Sequence, residues 1–223
     1  MKTKTLLMMV ASSAGALCAM TSQIEAATQS IPLSLPPGFC LLANNLHVGD
    51  NRLNTVFPSV PVESQVLKFA NNNYTADIFD GSNWLDALTG NPSRTTVSPG
   101  EGFFFFNPSS QNLQVTFTGE VPQGPLTICF PPGFALVGSP VPRPLFLNSS
   151  NGFPRALELE ILRYIRPGQQ YGPGYRCMIV DGSTWLDCAT GNPTTLPIPV
   201  GEGFFIYNPL GTALCWTTSF SVD

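Results

Sequence analysis

The chain has 223 residues, of which 43% are hydrophobic and 11% are charged, and its formal net charge at pH 7 is −4. So few charges, combined with many Phe, Val, Leu and Thr residues, exclude a disordered chain, which needs the opposite balance. The basic residues are dispersed rather than clustered in a stripe, which excludes an electrostatic nucleic-acid-binding surface.

The N-terminus has the pattern of a secretory signal peptide. Lys2 and Lys4 precede an apolar stretch from Leu6 to about Met20, and the segment ends in a small-residue cleavage site. We therefore predict a signal peptide over residues 1–26 and a mature chain that is secreted or located at the cell surface or in the periplasm. An uncleaved membrane anchor is the alternative, although the apolar stretch is short for a span, and the mature chain contains no other. Loss of Lys2, Lys4 and Glu25 takes the net charge from −4 to −5.

The sequence contains an internal repeat. Residues 80–108 and 181–209 are identical at 17 of 29 positions, which is strong evidence of duplication. Upstream, Pro36 to Phe39 recurs as Pro131 to Phe134, with an offset of 95 instead of 101. The repeat therefore covers most of the predicted mature chain.

This repeat predicts two tandem homologous domains, over residues 27–122 and 123–223, joined by a short segment that proline stiffens. Each copy has roughly ninety residues, which is enough for an independent small domain. The change of offset locates a six-residue insertion between Tyr164 and Asp181. Gly, Pro and Gln residues in that segment predict a longer surface loop in the second copy.

Hydrophobic periodicity predicts strands along both copies. Alternation over Leu113 to Thr118 and over Leu157 to Ile161 predicts half-buried strands. Gly102 to Phe106 and Gly203 to Tyr207 are apolar on both faces, which predicts central strands buried on both sides or strands with one face at an interface. Asn51 to Phe57 is the exception and predicts a single helical turn with its apolar side chains inward.

The predicted fold is all-β, with two tandem homologous domains that are small β-sandwiches or barrel-like structures of about seven short strands each. The chain contains 22 Pro and 20 Gly residues without a three-residue period. This composition excludes collagen and is typical of short strands joined by tight turns.

One hairpin of the second copy predicts a disulfide. A two-residue loop at Gly182-Ser183 places glycine at the first central position, as a type II′ turn prefers. In that register Val180 faces Trp185 and Cys177 faces Cys188, which brings the two cysteines within bonding range. We therefore predict that Cys177 and Cys188 are bonded, whereas a turn centred one residue earlier would shift the register and abolish the pair. The first copy has alanine at both corresponding positions.

Three further cysteines remain after removal of the signal peptide. Cys129 lies in the first predicted strand of the second copy and Cys215 in its last, and we predict that they pair, as a secreted chain favours. Cys40 is then left free or forms an intermolecular bridge. The cysteine spacings match no zinc pattern and the chain has one histidine, so we expect no metal site and no cofactor.

Patterns of catalytic residues are weak. The single histidine, His47, is replaced by Pro142 in the second copy, where a nucleophile would lack a base. Both copies share three acidic positions, namely Asp80/Asp181, Asp86/Asp187 and Glu101/Glu202. Two carboxylates flanking a sugar would suit a glycoside hydrolase. However, Asp at a turn and Glu between two glycines have structural explanations, and a calcium site would need a more regular acidic loop. We therefore expect no catalytic residues.

The candidate binding residues are aromatic. Trp84 and Trp185 occupy the same position in the two copies, and an exposed indole on a β surface can stack on a sugar ring. Tyr171 and Tyr175, in the longer loop of the second copy, offer another platform. For the tryptophans we favour the competing interpretation, in which each packs in a core against the facing strand. The solvent exposure of the two indoles distinguishes these interpretations.

Several segments also resemble a known kind of repeat: PPGFCLLANNL (36–46), VLKF (66–69), DGSNW (80–84), GEGFFFFNP (100–108) and VTFTGEVPQG (115–124). They resemble repeats in uncharacterised secreted proteins of Verrucomicrobia and related bacteria. A similar G-[FW]-x-L-[IV]-[AG]-N … G-x-G-F-F arrangement occurs in surface domains of Bacteroidetes secreted proteins. The resemblance covers nearly the whole mature chain and implies an extracellular β domain, but it transfers no catalytic or ligand-binding residue. The second copy departs from it, with Gly138-Ser139-Pro140 where the first has Ala43-Asn44-Asn45.

The sequence thus favours an exported, non-enzymatic structural or interaction protein built from two homologous β domains. The alternative is an extracellular carbohydrate-binding module that uses an aromatic platform. A further alternative is a glycoside hydrolase-like enzyme that uses the shared acids. The expected partners are an extracellular polysaccharide or a cell-surface protein.

Overall fold

The structure is a computed structural model that describes residues 27–147, 152–166, 174–194 and 197–221. The predicted signal peptide, residues 1–26, and the candidate binding residue Tyr171 lie outside the described residues. Within the described ranges, no helix has the length and apolar character needed to cross a membrane.

The described residues form fourteen β-strands and one short helix, with seven strands in each half of the chain. The first half contains β1 (Thr28–Leu35), β2 (Gly38–Ala43), α1 (Leu53–Val56), β3 (Gln65–Ala70), β4 (Asn73–Phe79), β5 (Trp84–Asp86), β6 (Gly102–Asn107) and β7 (Leu113–Glu120). The second half contains β8 (Gly124–Phe130), β9 (Gly133–Gly138), β10 (Glu160–Ile165), β11 (Gly174–Val180), β12 (Trp185–Asp187), β13 (Gly203–Asn208) and β14 (Leu214–Phe220). The predicted all-β class is confirmed.

Both halves have the same strand order. In the first half β1 pairs with β7, and a five-stranded sheet has the order β2-β6-β3-β4-β5. In the second half β8 pairs with β14, and the five-stranded sheet has the order β9-β13-β10-β11-β12. All of these pairs are antiparallel. Each half encloses a hydrophobic core of its own between its two sheets, which makes it a sandwich.

The apolar central strands β6 and β13 each contribute side chains to two hydrophobic clusters, one on each face. Phe103 and Phe105 of β6 are 0% exposed in the first core, whereas Phe104, which points to the other face, packs in a cluster shared with the second half. Strand β13 does the same, with Phe204 in the second core and Phe205 in the shared cluster. The two alternatives predicted for these strands hold together: each is a central strand buried on both sides, and one of its faces packs against the other half.

The short helix completes the first core. As predicted, its apolar side chains point inward, since Leu53 and Val56 are 1% exposed and the following Phe57 is 0% exposed. The Phe57 ring stacks on Phe105 at 4.9 Å and meets the edge of Phe117 at 5.4 Å between centroids. Packing of this turn, rather than helix propensity, therefore holds it in place.

The predicted strand over Leu157 to Ile161 is wrong in its first half. Strand β10 begins only at Glu160, and Leu157 is 60% exposed. The reason is backbone conformation, since Glu158 has a φ of 62°, and Glu63 at the corresponding position of the first half has a φ of 68°. A positive φ interrupts an extended strand, and alternation in the sequence does not reveal it.

The predicted hairpin register and both predicted disulfides are present. Val180 pairs with Trp185, and the N–H of Cys188 donates to the carbonyl of Cys177 at 3.2 Å. These cysteines are bonded with 5.4 Å between their Cα atoms. The second disulfide, Cys129–Cys215, joins the paired strands β8 and β14. Cys40 is free and buried in the first core.

Candidate functional site

The two halves contact each other through the outer faces of their five-stranded sheets. Leu41 and Phe104 from the first half pack with Leu136 and Phe205 from the second. Leu136 and Phe205 are the positions that correspond to Leu41 and Phe104 in the repeat. The contact therefore resembles the isologous interface of a symmetric dimer, in which the same patch meets itself.

Backbone hydrogen bonds extend this contact to the sheet edges. The N–H of Ala43, at the end of edge strand β2, donates to the carbonyl of Gly201 in the second half at 2.9 Å. The N–H of Gly138, at the end of edge strand β9, donates to the carbonyl of Gly100 at 3.0 Å. Each half thus covers part of the exposed edge of the other, which stabilises their association and protects the edge from other chains.

The close approach of the two halves explains the Gly-Glu-Gly segment that both copies contain, at residues 100–102 and 201–203. A Cβ atom added to Gly102 would lie 2.7 Å from the backbone nitrogen of Val137. A Cβ atom added to Gly203 would overlap the carbonyl oxygen of Leu42. Because the obstructing atoms belong to the backbone, only glycine fits at these two positions.

The shared glutamates hold the same segment through ion pairs. The Lys68 ammonium lies 3.1 Å from a Glu101 carboxylate oxygen. The Arg163 guanidinium binds Glu202 through two hydrogen bonds of 2.6 and 2.9 Å. Lys68 and Arg163 occupy corresponding positions, so the repeat preserves a cation–glutamate pair in each half. The sequence interpretation found the glutamates but missed their cationic partners.

The first pair of shared aspartates caps hairpin turns. The carboxylate of Asp80 accepts hydrogen bonds from the N–H groups of Ser82 and Asn83, both at 2.7 Å. Asp181 accepts the equivalent bonds from Ser183 and Thr184 at 3.0 and 2.9 Å. These backbone bonds, first those from Asn83 and Thr184, lower the pKa values of the two exposed carboxyls.

The second pair of shared aspartates caps the turns that follow β5 and β12. Asp86 accepts a hydrogen bond from the N–H of Thr89 at 2.8 Å, and this bond lowers its pKa. Asp187 binds the guanidinium of Arg176 at 2.7 Å, and this bond is the main cause of its lowered pKa. Each shared acid thus has a structural partner, and the described residues contain no cluster of three or more potential metal ligands.

The two candidate tryptophans lie inside the cores. Trp84 and Trp185 are both 0% exposed. The indole N–H of Trp84 donates to the carbonyl of Phe57 at 3.1 Å, and its ring lies 5.5 Å from that of Phe79 on the facing strand. Burial removes both indoles from any binding surface, so their candidate role as sugar platforms is wrong and the core interpretation is correct.

A concave site instead lies at the boundary between the halves. We call it the aromatic cleft, and it has a volume of about 240 Å³. It is lined by Phe39, Leu67, Tyr74, Phe104, Tyr164 and Tyr175. Both halves contribute to it, and the candidate binding residue Tyr175 is one of its walls.

The aromatic rings near the cleft occur at corresponding positions of the two halves. Phe104 lies 6.1 Å from Phe39 and 6.2 Å from Tyr74 between ring centroids. Phe205 has the corresponding neighbours, Phe134 at 6.4 Å and Tyr175 at 6.0 Å. The two central phenylalanines are buried, whereas the four outer rings are 39–50% exposed. Three of these outer rings, Phe39, Tyr74 and Tyr175, line the same cleft across the boundary.

The tyrosines are the polar groups of the cleft. Burial, and to a smaller extent the neighbouring Tyr74 and Tyr164, raise the pKa of Tyr175 to about 12. Burial also raises the pKa of Tyr74. The phenols of Tyr74 and Tyr175 therefore keep their donor hydrogens at physiological pH. Within the described part of the chain, the hydroxyls of Tyr74, Tyr164 and Tyr175 have no hydrogen-bond partner.

Sequence reasoning identified one wall of this cleft and missed the others. The sequence indicated Tyr175 as part of the longer loop of the second copy, whereas it lies in strand β11 and pairs with Tyr164 of β10. Phe39 and Tyr74 were missed, although Phe134 and Tyr175 are aromatic at the corresponding positions. Aromatic residues that recur in both copies outside the cores were the signal that would have found them.

Comparisons of the chain with protein-family models, with curated proteins and with solved structures found no match. The resemblance to secreted bacterial repeat proteins therefore stays a prediction.

Proposed function

We propose that this chain is an exported, non-enzymatic structural or interaction protein whose two β-sandwich halves form one joint surface. The observation that supports this proposal best is the use of the repeated residues. The shared acids cap turns or form ion pairs, and the shared tryptophans fill the cores. Exposed aromatic residues also recur in both halves, at Phe39/Phe134 and Tyr74/Tyr175, which fits binding better than catalysis.

Export is part of the proposal. The two disulfides support it, because such bonds persist in oxidising compartments and are rare in the cytosol. Expression with the native N-terminus in a bacterial host tests it by the intact mass of the exported protein. Export with cleavage after Ala26 is the expected result, and retention of a reduced, uncleaved chain in the cytosol would contradict it.

The non-enzymatic assignment is tested with the purified, oxidised mature chain on a glycan array and in a reducing-sugar assay. We expect neither glycan binding nor sugar release. Binding to a defined polysaccharide would favour the carbohydrate-binding alternative. Sugar release that is lost in Glu101→Gln or Glu202→Gln, with the fold intact by circular dichroism, would favour the hydrolase alternative.

A further inference from the structure

We propose that the aromatic cleft binds an uncharged, proline-rich peptide segment in the extended polyproline II conformation. The proposal rests on the proposed function as an interaction protein and names the chemistry of the partner. It assigns the ring-binding walls to Phe39, Tyr74 and Tyr175, and the hydrogen-bond donors to the phenol hydroxyls.

The first argument is exposure. Phe39 is 39% exposed, Tyr74 44% and Tyr175 50%, although large aromatic side chains gain most from burial. Phe134, which corresponds to Phe39 in the repeat, is 40% exposed but does not line the cleft. Exposed aromatic side chains that cluster in one concavity mark a binding surface rather than ordinary scattered exposure.

The second argument is charge. None of the six lining residues carries a charged side chain, so an ionised ligand would lose its hydration without gaining an ion pair. Two of the charges that recur in both halves, Glu101 and Glu202, are bound by Lys68 and Arg163. The cleft therefore favours an uncharged partner.

The third argument is the balance of apolar wall and polar donor. A polyproline II segment presents apolar rings, and its backbone carbonyls have no internal hydrogen bonds. Apolar rings fit walls of Phe39, Leu67 and Phe104, and free carbonyls fit phenol donors such as Tyr175. Proline-rich segments dock in aromatic-lined grooves elsewhere for the same reason, and their rigidity lowers the entropic cost of binding.

A neutral saccharide fits less well. Each sugar unit carries several hydroxyl groups, and the cleft offers them three phenols and otherwise apolar walls. Hydroxyls buried without partners cost free energy. Of the two partner classes expected from the sequence, the cleft therefore favours a protein over a polysaccharide.

The test is isothermal titration of the oxidised mature chain with acetylated, amidated decaproline, and separately with cellohexaose. We expect decaproline to bind and cellohexaose not to bind. Tyr175→Phe, which removes one hydroxyl, should weaken decaproline binding about fivefold, the equivalent of one net hydrogen bond. Tyr175→Ala and Phe39→Ala should each weaken it by more than about tenfold. Leu88→Ala is the matched control, because Leu88 is 94% exposed and does not line the cleft.

Circular dichroism and a thermal melt show that each variant is folded. If neither probe binds the folded chain, the peptide proposal is overturned while the proposed function stands. Cellohexaose binding that Tyr175→Ala abolishes would overturn both in favour of a saccharide site. Concentration-dependent dimerisation that Tyr175→Ala abolishes would overturn the peptide proposal, because the surface would then bind a second copy of the chain.

Discussion

The backbone N–H of Ala43 lies 2.9 Å from the carbonyl oxygen of Gly201, so an edge strand of one half is hydrogen-bonded to a loop of the other. Gly138 and Gly100 form the corresponding bond at 3.0 Å. These reciprocal bonds, and the apolar cluster beside them, join two seven-stranded sandwiches into one unit. The aromatic cleft exists only because the two halves are held in this arrangement.

Substitution of the repeated glycines should separate the halves or strain them. Gly203→Ala places a Cβ atom against the carbonyl of Leu42, and we expect the free energy of unfolding to fall by about 1–3 kcal/mol, as for overpacking. Gly211→Ala is the matched control, because a Cβ atom there meets nothing within 4 Å. Chemical denaturation measures both variants. A loss for Gly211→Ala as large as that for Gly203→Ala would contradict this account of the segment.

The two cation–glutamate pairs should differ in strength. Arg163 and Glu202 have side chains that are 14% and 25% exposed and form two hydrogen bonds, whereas those of Lys68 and Glu101 are 26% and 41% exposed. We expect Glu202→Gln to cost about 1–3 kcal/mol of unfolding free energy. Glu101→Gln, in the more solvated pair, should cost less than about 1 kcal/mol. Equal losses of unfolding free energy for the two variants in denaturant titrations would contradict the prediction that the more buried pair is the stronger one.

The protein should lose stability in acid. The lowered pKa values of Asp80, Asp86, Asp181 and Asp187 mean that these groups bind protons less readily in the folded than in the unfolded state. Their stabilising contribution is present above the unfolded-state pKa of about 3.9 and is lost as the pH falls through the lower folded-state values.

Denaturation as a function of pH tests this linkage. We expect the unfolding free energy to fall steeply below about pH 4. The fall should be shallower for Asp187→Asn, which loses the charge that Arg176 stabilises. Glu120→Gln is the control variant, because Glu120 is exposed and lies away from these turns. An unchanged pH profile for Asp187→Asn would be inconsistent with the proposed cause.

The two disulfides should contribute unequally. Cys129 and Cys215 are 86 residues apart in the sequence, whereas Cys177 and Cys188 are 11 apart. In the loop-entropy view the longer loop gives the larger stabilisation, about 4–5 against about 3 kcal/mol.

Double alanine variants measure this difference. Alanine at positions 177 and 188 reproduces Ala76 and Ala87 of the first half, where the N–H of Ala87 donates to the carbonyl of Ala76 at 2.9 Å without a disulfide. We expect that variant to fold with a moderate loss in melting temperature and the Cys129/Cys215 variant to lose more. The reverse order would contradict the loop-length explanation.

The local features of the fold were predictable from sequence, because each depends on neighbouring residues. The register that pairs Val180 with Trp185 follows from turn chemistry, and the inward Phe57 follows from local periodicity. Strand β10 was placed too early because the positive φ of Glu158 leaves no mark in the hydrophobic pattern. The cleft was largely missed, since it depends on how two halves meet, which no periodicity encodes. The recurrence of aromatic residues at Phe39/Phe134 and Tyr74/Tyr175 is the sequence signal for it.

Native-state hydrogen exchange of the Ala43 and Gly138 amides tests the joining of the halves most directly. If the reciprocal bonds hold, both amides will exchange only through global unfolding, with the same opening free energy as the amide of core residue Val66. Exchange of both amides at a much lower opening free energy, while that of Val66 stays protected, would show that the halves separate without unfolding. That result would contradict the two-half unit on which the aromatic cleft depends.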